Sequence, residues 1–306
     1  MIQMTEMQQK ILQLKKEKDF CILAHTYESH DILEIADFTG DSFALSRKAT
    51  GVSQKNVLMC GVRFMAETVK LLSPEKRVVI ASADAGCPMA EQFTRADVEA
   101  WRREHPHALV VAYVNTTTDI KRACDYCVTS ASAVNIVSKL PDDKEILFIP
   151  DKNLGSYVAK KLPSKKLVFW NGGCPVHNAI TPEELYAAKA LHPDALVLTH
   201  PECEEEVRAL SDYLGSTQEI IAYAQRSEEE EFIICTEDGV EFALNGIGGG
   251  KRFYFPAPRP RCMDMKLSTP EGVLRALKTL DNPITVTEQE RQAALRPLEK
   301  MLEMCQ

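Results

Sequence analysis

Short apolar runs recur along the chain with almost no polar residue inside them, and between them apolar positions return at helical spacing. The runs lie near residues 20 to 25, 57 to 60 and 78 to 82, then 109 to 113, 146 to 149 and 167 to 170, then 195 to 199, 231 to 234 and 252 to 255. Runs without alternation suit strands covered on both faces. Their regular exchange with helical stretches predicts parallel strands joined by crossovers, hence an α/β fold. Helix starts are readable at Thr181, where Pro182 and two acids follow, and at Asp97, which leads AspValGluAlaTrpArgArg. Ile11, Leu12 and Leu14 mark an amphipathic helix ahead of the first strand, and Leu295, Leu298, Met301 and Leu302 mark a closing helical segment, from about residue 284, that packs back on the body. The run Glu228 to Glu231 reads as a solvated turn, and no low-complexity linker interrupts the pattern.

The pattern repeats. Cys87, Cys174 and Cys262 stand 87 and 88 residues apart, and His25, Tyr113 and His200 keep the same step at the ends of apolar runs. Two residues on come Tyr27, Asn115 and Glu202, and fifteen further on come Ser42, Ser130 and Thr217. His105-Pro106 and His192-Pro193 lead into the second and third units. A period near 87 is too long for a solenoid and long enough for a small α/β domain. The sequence therefore predicts three repeats, 1–87, 88–174 and 175–283, with the helical segment 284–306 returning to the body. Ligands of open parallel sheets bind beyond the carboxyl ends of the strands. Three such domains about a pseudo-threefold axis would turn those ends toward one central active site.

Composition narrows the partners. A chain of 306 residues, 45% hydrophobic, can bury a sizeable core, and its formal charge of −8 speaks against nucleic acid or an anionic membrane surface as partner. The first residues show neither a basic stretch followed by an apolar one nor any run long enough to span a bilayer. This predicts a cytoplasmic protein, and in that compartment the ten cysteines are not expected to form structural disulfides.

Three kinds of residue carry candidate chemistry. Cys87, Cys174 and Cys262 each follow a third strand, the first two directly after glycine and the last after a proline-rich run. Zinc in a structural site takes four protein ligands. Three thiolates on a cubane iron–sulfur cluster leave one iron open as a Lewis acid. Cys124 and Cys127 form a Cys-x-x-Cys pair outside the setting of a redox motif, and they read as packing residues, as do Cys21, Cys60, Cys203, Cys235 and Cys305. GlyAspSer at 40–42, ThrSer at 129–130 and GlySerThr at 215–217 open helical stretches, where hydroxyls and free N–H groups suit carboxylate or phosphate oxygens. No phosphate-binding glycine motif is present, and GlyIleGlyGlyGlyLys at 246–251 reads as a flexible loop. The strand-end residues His25, Tyr27, Tyr113, Asn115, His200 and Glu202 supply donors, acceptors and protons, with Glu202 placed to act as a general base. His105, His107, His177 and His192 read as structural, His177 lying close to the Cys174 ligand.

Ten ordered motifs between His25 and Lys266 resemble those of the quinolinate synthase family: HisThrTyr at 25–27, AlaAspPheThrGlyAspSer at 36–42, CysGlyValArgPheMetAlaGlu at 60–67, AlaGlyCys at 85–87, TyrValAsnThr at 113–116, ThrSer at 129–130, IleProAspLysAsnLeuGly at 149–155, HisProGluCys at 200–203, GlySerThr at 215–217 and CysMetAspMetLys at 262–266. The resemblance implies three pseudo-threefold-related, three-layer αβα domains and an oxygen-sensitive 4Fe-4S cluster on Cys87, Cys174 and Cys262. It implies condensation of iminoaspartate with dihydroxyacetone phosphate to quinolinate, releasing phosphate and water, for NAD biosynthesis. L-aspartate oxidase or aspartate dehydrogenase is then the implied functional partner. Glu202 would be the acid/base group, assisted by Tyr27, His25 and His200. Ser42, Tyr113, Asn115, Ser130, Ser216 and Thr217 would hold substrate oxygens together with the histidines. The chain departs from the family at Ser132, where Asn is frequent, at Glu28, where Gln is frequent, and in having ArgProArg rather than extra cysteines before Cys262. Read from the residues alone, a cluster-dependent hydroxyacid dehydratase and a non-enzymatic iron–sulfur sensor or electron carrier remain as competing readings.

Overall fold

The computed structural model describes residues 4–305. They form three four-stranded sheets, all parallel and all wound in the same order. The first holds β1 (Phe20–His25), β2 (Phe38–Gly40), β3 (Asn56–Cys60) and β4 (Arg77–Ile80), ordered β2-β1-β3-β4. The second holds β5 (Leu109–Tyr113), β6 (Tyr126–Val128), β7 (Glu145–Ile149) and β8 (Lys166–Phe169), ordered β6-β5-β7-β8. The third holds β9 (Leu196–Thr199), β10 (Tyr213–Leu214), β11 (Glu231–Cys235) and β12 (Arg252–Tyr254), ordered β10-β9-β11-β12. Helices make the crossovers, so every strand points the same way within its sheet. All six residues of β1 are buried, as the run without alternation requires.

The nine expected strands are present, but each sheet has a fourth that the apolar pattern did not announce. β2, β6 and β10 are two or three residues long and too short to stand out as apolar runs. An aspartate fixes each of them. The carboxylates of Asp37, Asp125 and Asp212 accept the N–H of Ile22, Val110 and Val197, each at 2.8 Å, while their own N–H groups donate to the carbonyls of the same three residues. The pairing thus begins with a side-chain hydrogen bond where the short strand has few ladder bonds to offer.

Helix starts follow the capping rules. The helix Pro182–Leu191 begins after Thr181 with a capping box to Glu184, as expected. The helix expected to open at Asp97 starts earlier, at Arg95: Thr94 is its N-cap, and Asp97 is the third residue that closes the box. The closing helix Glu288–Met304 buries Ala294, Leu298 and Met301, while Leu295 and Leu302 flank that stripe, half-buried. In the glycine-rich stretch Gly248, Gly249 and Gly250 all adopt φ near +75°, a conformation that disfavours any side chain.

Two compact units emerge from the packing. Residues up to Cys87 and Cys262–Leu295 form the first, which contains the first sheet. Pro88–Arg261 and the residues from Arg296 onward form the second, which contains the other two sheets. Within the first unit, Asn282 to Ile284 runs antiparallel beside β4: Ile80 donates to Asn282 and Ile284 donates to Val78, so this sheet edge is covered. β8 and β12 in the second unit are only half-buried. No helix among the described residues is long and apolar enough to cross a membrane.

Candidate active site

The strand-end residues occupy equivalent turns. In the first unit the Nδ1 of His25 accepts the N–H of Tyr27 at 3.1 Å, and in the second the Nδ1 of His200 accepts the N–H of Glu202 at 3.3 Å. A ring nitrogen that accepts carries no proton, so both imidazoles are neutral with hydrogen on Nε2. Burial pushes the His200 pKa down to about 4, against the pull of Glu202, which agrees with a neutral ring. Tyr113 ends β5 at the corresponding place, and its loop is held by the buried Lys121, whose ammonium donates to the carbonyls of Val114 and Thr116. The Tyr27 ring stands edge-on to His25, and Lys266 donates to the Tyr27 carbonyl, tying the HisThrTyr and CysMetAspMetLys segments together within the first unit.

Glu202 is the centre of the polar cluster in the second unit. It is 3% exposed, and its Oε2 lies 3.0 Å from Nδ1 of His177. Burial opposes its charge, but the facing His177 and His200 and the hydrogen bonds from His177 and Tyr113 outweigh it and hold the carboxyl at about 2. His177 and His200 stack with centroids 4.8 Å apart, and Nε2 of His177 meets the Thr236 hydroxyl at 2.9 Å. The Asn153 amide donates to the Glu202 carbonyl at 3.0 Å and to Asn178 Oδ1 at 2.8 Å. Asp151, fully buried, caps the helix Lys152–Lys161 by accepting the N–H of Leu154 at 2.7 Å, and its second oxygen accepts the N–H of Cys174 at 3.0 Å. Burial and the Glu202 charge push the Asp151 carboxyl up to about 7 in spite of those two donors. Asp151 and Asn153 both belong to the motif IleProAspLysAsnLeuGly, whose individual residues carried no signal of a role; their acid and amide side chains within a single helix start were the clue available.

The helix-start residues divide by local chemistry. Ser42 is buried in the first turn of Ser42–Gly51, which is capped by Asp41. Ser216 caps Thr217–Arg226 through a capping box with Glu219, and Thr217 follows it, buried. In the second sheet the cap is Ser132, not Ser130: the hydroxyls of Thr129 and Ser132 lie 2.9 Å apart and each accepts the other's backbone N–H. The Ser132 side chain is thereby tied into its own loop, which leaves Ser130 ahead of it. Ser130, Pro201 and Gly215 line one cavity of about 170 Å³, so within the second unit the loops that carry Ser130, Glu202 and Ser216 share a wall. Asn115 is half-buried after β5.

The cysteines separate as sharply. Cys87, Cys174 and Cys262 are half-buried in the loops that follow β4, β8 and β12. The chain leaves the first unit after Cys87 and re-enters it at Cys262. Gly172 permits the turn into Cys174, because a Cβ there would stand 2.5 Å from the Pro150 carbonyl oxygen. Elsewhere, burial pushes the thiols of Cys21, Cys127 and Cys235 up to about 12 and those of Cys60, Cys124 and Cys203 well above the ordinary value. Such groups stay protonated and inert, whereas Cys87 and Cys262 in the first unit and Cys174 in the second lie in loops and are only half-buried. The donor atoms of Cys174, His177 and Glu202 also lie within 4.8 Å of one another, a grouping able to hold a metal ion.

Comparison with known proteins gives a consistent result. Residues 9–303 match the family model described as quinolinate synthetase A protein. The chain is 44% identical over 296 residues to the quinolinate synthase of Clostridium perfringens strain SM101, covering 97% of this chain and 98% of the relative. It is 45% identical over 295 residues to that of Caldicellulosiruptor bescii, covering 96% and 97%, and 41% identical over 304 residues to that of Aquifex aeolicus, covering 98% and 94%. A buried histidine–glutamate centre, a trio of loop cysteines and matches of this extent agree, and the chain belongs to the quinolinate synthetase A family.

Proposed function

We propose that this protein is a cytoplasmic quinolinate synthase of NAD biosynthesis, condensing iminoaspartate with dihydroxyacetone phosphate and releasing phosphate and water in a transferase- or lyase-type sequence. The observation that supports it best is Glu202, a buried carboxylate kept ionised by His177 and Tyr113 in the loop between a neutral histidine and the cavity lined by Ser130 and Gly215. The two substrates together contain the carbons of the product, and the conversion needs no net oxidant. It needs proton transfers and places for anionic oxygens. Glu202 takes and returns the protons lost from carbon and delivered to leaving hydroxyl groups. His25 and His200, with hydrogen on Nε2, donate to substrate oxygens, and Tyr27 supplies a phenolic proton. Ser42, Ser130, Ser216 and Thr217 at helix starts, with Tyr113 and Asn115 at and after the end of β5, hold carboxylate and phosphate oxygens.

Cys87, Cys174 and Cys262 would hold a 4Fe-4S cluster, which when bound supplies a Lewis-acidic iron with an open position. L-aspartate oxidase or aspartate dehydrogenase would furnish the unstable imine. The test is anaerobic incubation of cluster-replete protein with iminoaspartate and dihydroxyacetone phosphate, with quinolinate read by chromatography. Quinolinate formation supports the assignment; its absence, with dehydration of a hydroxyacid instead, selects the dehydratase reading. Replacing Cys87, Cys174 or Cys262 by Ala should each reduce bound iron to background and abolish turnover, whereas Cys124→Ala should leave both in place.

A further inference from the structure

We propose that His177, backed by Thr236, positions the Glu202 carboxylate for proton transfer, and that Asn153 locks the loop that carries it. The proposal rests on the reading of Glu202 as the acid/base group. Two histidines flank this carboxylate, but only one is able to donate to it. His200 Nδ1 lies 3.8 Å from Glu202 Oε1, yet it already accepts the Glu202 N–H and has no proton to give in that direction. His177 Nδ1 stands 3.0 Å from Oε2. An ionised carboxylate only accepts, so a hydrogen shared between the two sits on His177 Nδ1, and on the far side of the ring Nε2 meets the Thr236 hydroxyl at 2.9 Å. Thr236 thereby holds the ring so that Nδ1 faces Glu202, the arrangement by which a hydrogen bond on the far side of an imidazole orients its working side.

The backbone is fixed by separate means. Asn153 donates one amide hydrogen to the Glu202 carbonyl and the other to Asn178, the last residue of the short helix Pro175–Asn178 that carries His177. Glu202 and His177 are therefore tied together twice, through side chains and through the elements that bear them. Tyr113 and Asp151 complete the surroundings: the first donates to the carboxylate, and the second is a neighbouring acid engaged with the N–H groups of Leu154 and Cys174. Nε2 of His177 is engaged by Thr236, and Nδ1 faces Glu202 Oε2 at 3.0 Å, so ligation of a metal ion in the Cys174, His177, Glu202 group would compete with one of these two contacts.

Two substitutions separate the working side from the far side. Asparagine places an amide nitrogen near the Nδ1 position, and glutamine places its amide near Nε2. In the full-length, cluster-loaded enzyme, His177→Gln should lower kcat about 30- to 100-fold with KM within about threefold, as loss of alignment at a reacting group does. His177→Asn should stay within about fivefold of the parent, and Thr236→Val should fall between them. Bound iron should match the parent in all three, and the acid limb of the kcat/KM profile should move to higher pH in His177→Gln but not in His177→Asn. Glu202→Gln is the control. Turnover near the parent in Glu202→Gln would reject the acid/base reading itself. An inactive Glu202→Gln beside fully active His177→Gln would overturn the positioning role alone, and so would iron lost in parallel with activity in both His177 variants, since that would make the ring a ligand.

Discussion

The loop His25-Thr26-Tyr27-Glu28 of the first unit and the loop His200-Pro201-Glu202-Cys203 of the second share one backbone and differ in chemistry. In each the fourth residue donates to the histidine carbonyl, Glu28 at 2.9 Å and Cys203 at 3.0 Å, and in each the histidine Nδ1 accepts the N–H two residues on. Each third residue also has its carbonyl held from outside the turn, by Lys266 for Tyr27 and by Asn153 for Glu202. The repeat has kept a frame that fixes the tautomer of a histidine and presents the side chain two positions later. What that side chain does depends on its surroundings: Tyr27 is half-buried beside the His25 ring, while Glu202 is buried and enclosed by hydrogen-bond donors. A shared frame thus explains donors at both ends, and only in the second loop is the side chain presented two positions after the histidine a carboxylate.

If that contrast is functional, the two loops should respond unequally to removal of the presented group. Glu202→Gln keeps the shape of the side chain and removes its proton chemistry, and should reduce turnover about 10³-fold or more while cluster absorbance is unchanged. Tyr27→Phe removes one hydroxyl from an assisting position and should cost about tenfold. Steady-state quinolinate formation under anaerobic conditions measures both. Comparable losses in the two variants would mean that Tyr27 and Glu202 share the proton transfer, and the distinction between the loops would fail.

The neutral histidine of the second-unit loop has a thermodynamic signature. Its pKa falls from 6.5 to about 4 in the folded protein because burial disfavours the imidazolium. The unfolded chain therefore binds the proton more readily, so the stabilising contribution is complete above pH 6.5 and is lost as pH falls through about 4. The shift corresponds to at most about 3 kcal/mol over that interval. His200→Asn retains an oxygen able to accept the Glu202 N–H but has nothing to titrate, and its unfolding free energy by denaturant titration should decline less between pH 6.5 and 4 than that of the parent. Parallel pH profiles would show that His200 is solvated or charged in the native state.

Much of this arrangement is legible in the chain, and what is not has a physical cause. β1, β5 and β9 sit at sheet centres, and their buried runs stand out because both faces must be apolar. Cys87, Cys174 and Cys262 were marked by their common step and by the loops that contain them. His177, Asn153 and Thr236 are not marked by the sequence as partners of Glu202, because their relation depends on four chain segments meeting in the second unit and no spacing along the sequence encodes it. Ser132 illustrates the converse: its hydroxyl exchange with Thr129 is a local matter of three positions.

The overlooked edge strands also left a trace in the period. Asp37, Asp125 and Asp212 keep the steps of 88 and 87, each is followed by Phe or Tyr, and Lys15, Arg102 and Lys189 keep a step of 87 ahead of them. Here the repeats diverge. Lys15 bonds both the Ile35 carbonyl and Asp37 at 2.8 Å, and Arg102 bonds both the Ala123 carbonyl and Asp125, at 2.9 and 2.5 Å. Lys189 reaches instead to the Ala195 carbonyl. Every aspartate bonds a strand N–H, so its removal leaves a buried donor unpaired and should cost about 1 to 2 kcal/mol. In the first two sheets a partly exposed ion pair goes as well, adding at most about 1 kcal/mol. Asp37→Ala and Asp125→Ala should therefore destabilise slightly more than Asp212→Ala in denaturant unfolding, with the excess shrinking in high salt. Equal losses at all three sites, unchanged by salt, would mean that the short strands are pinned by the backbone hydrogen bond alone and that the cations serve the neighbouring carbonyls.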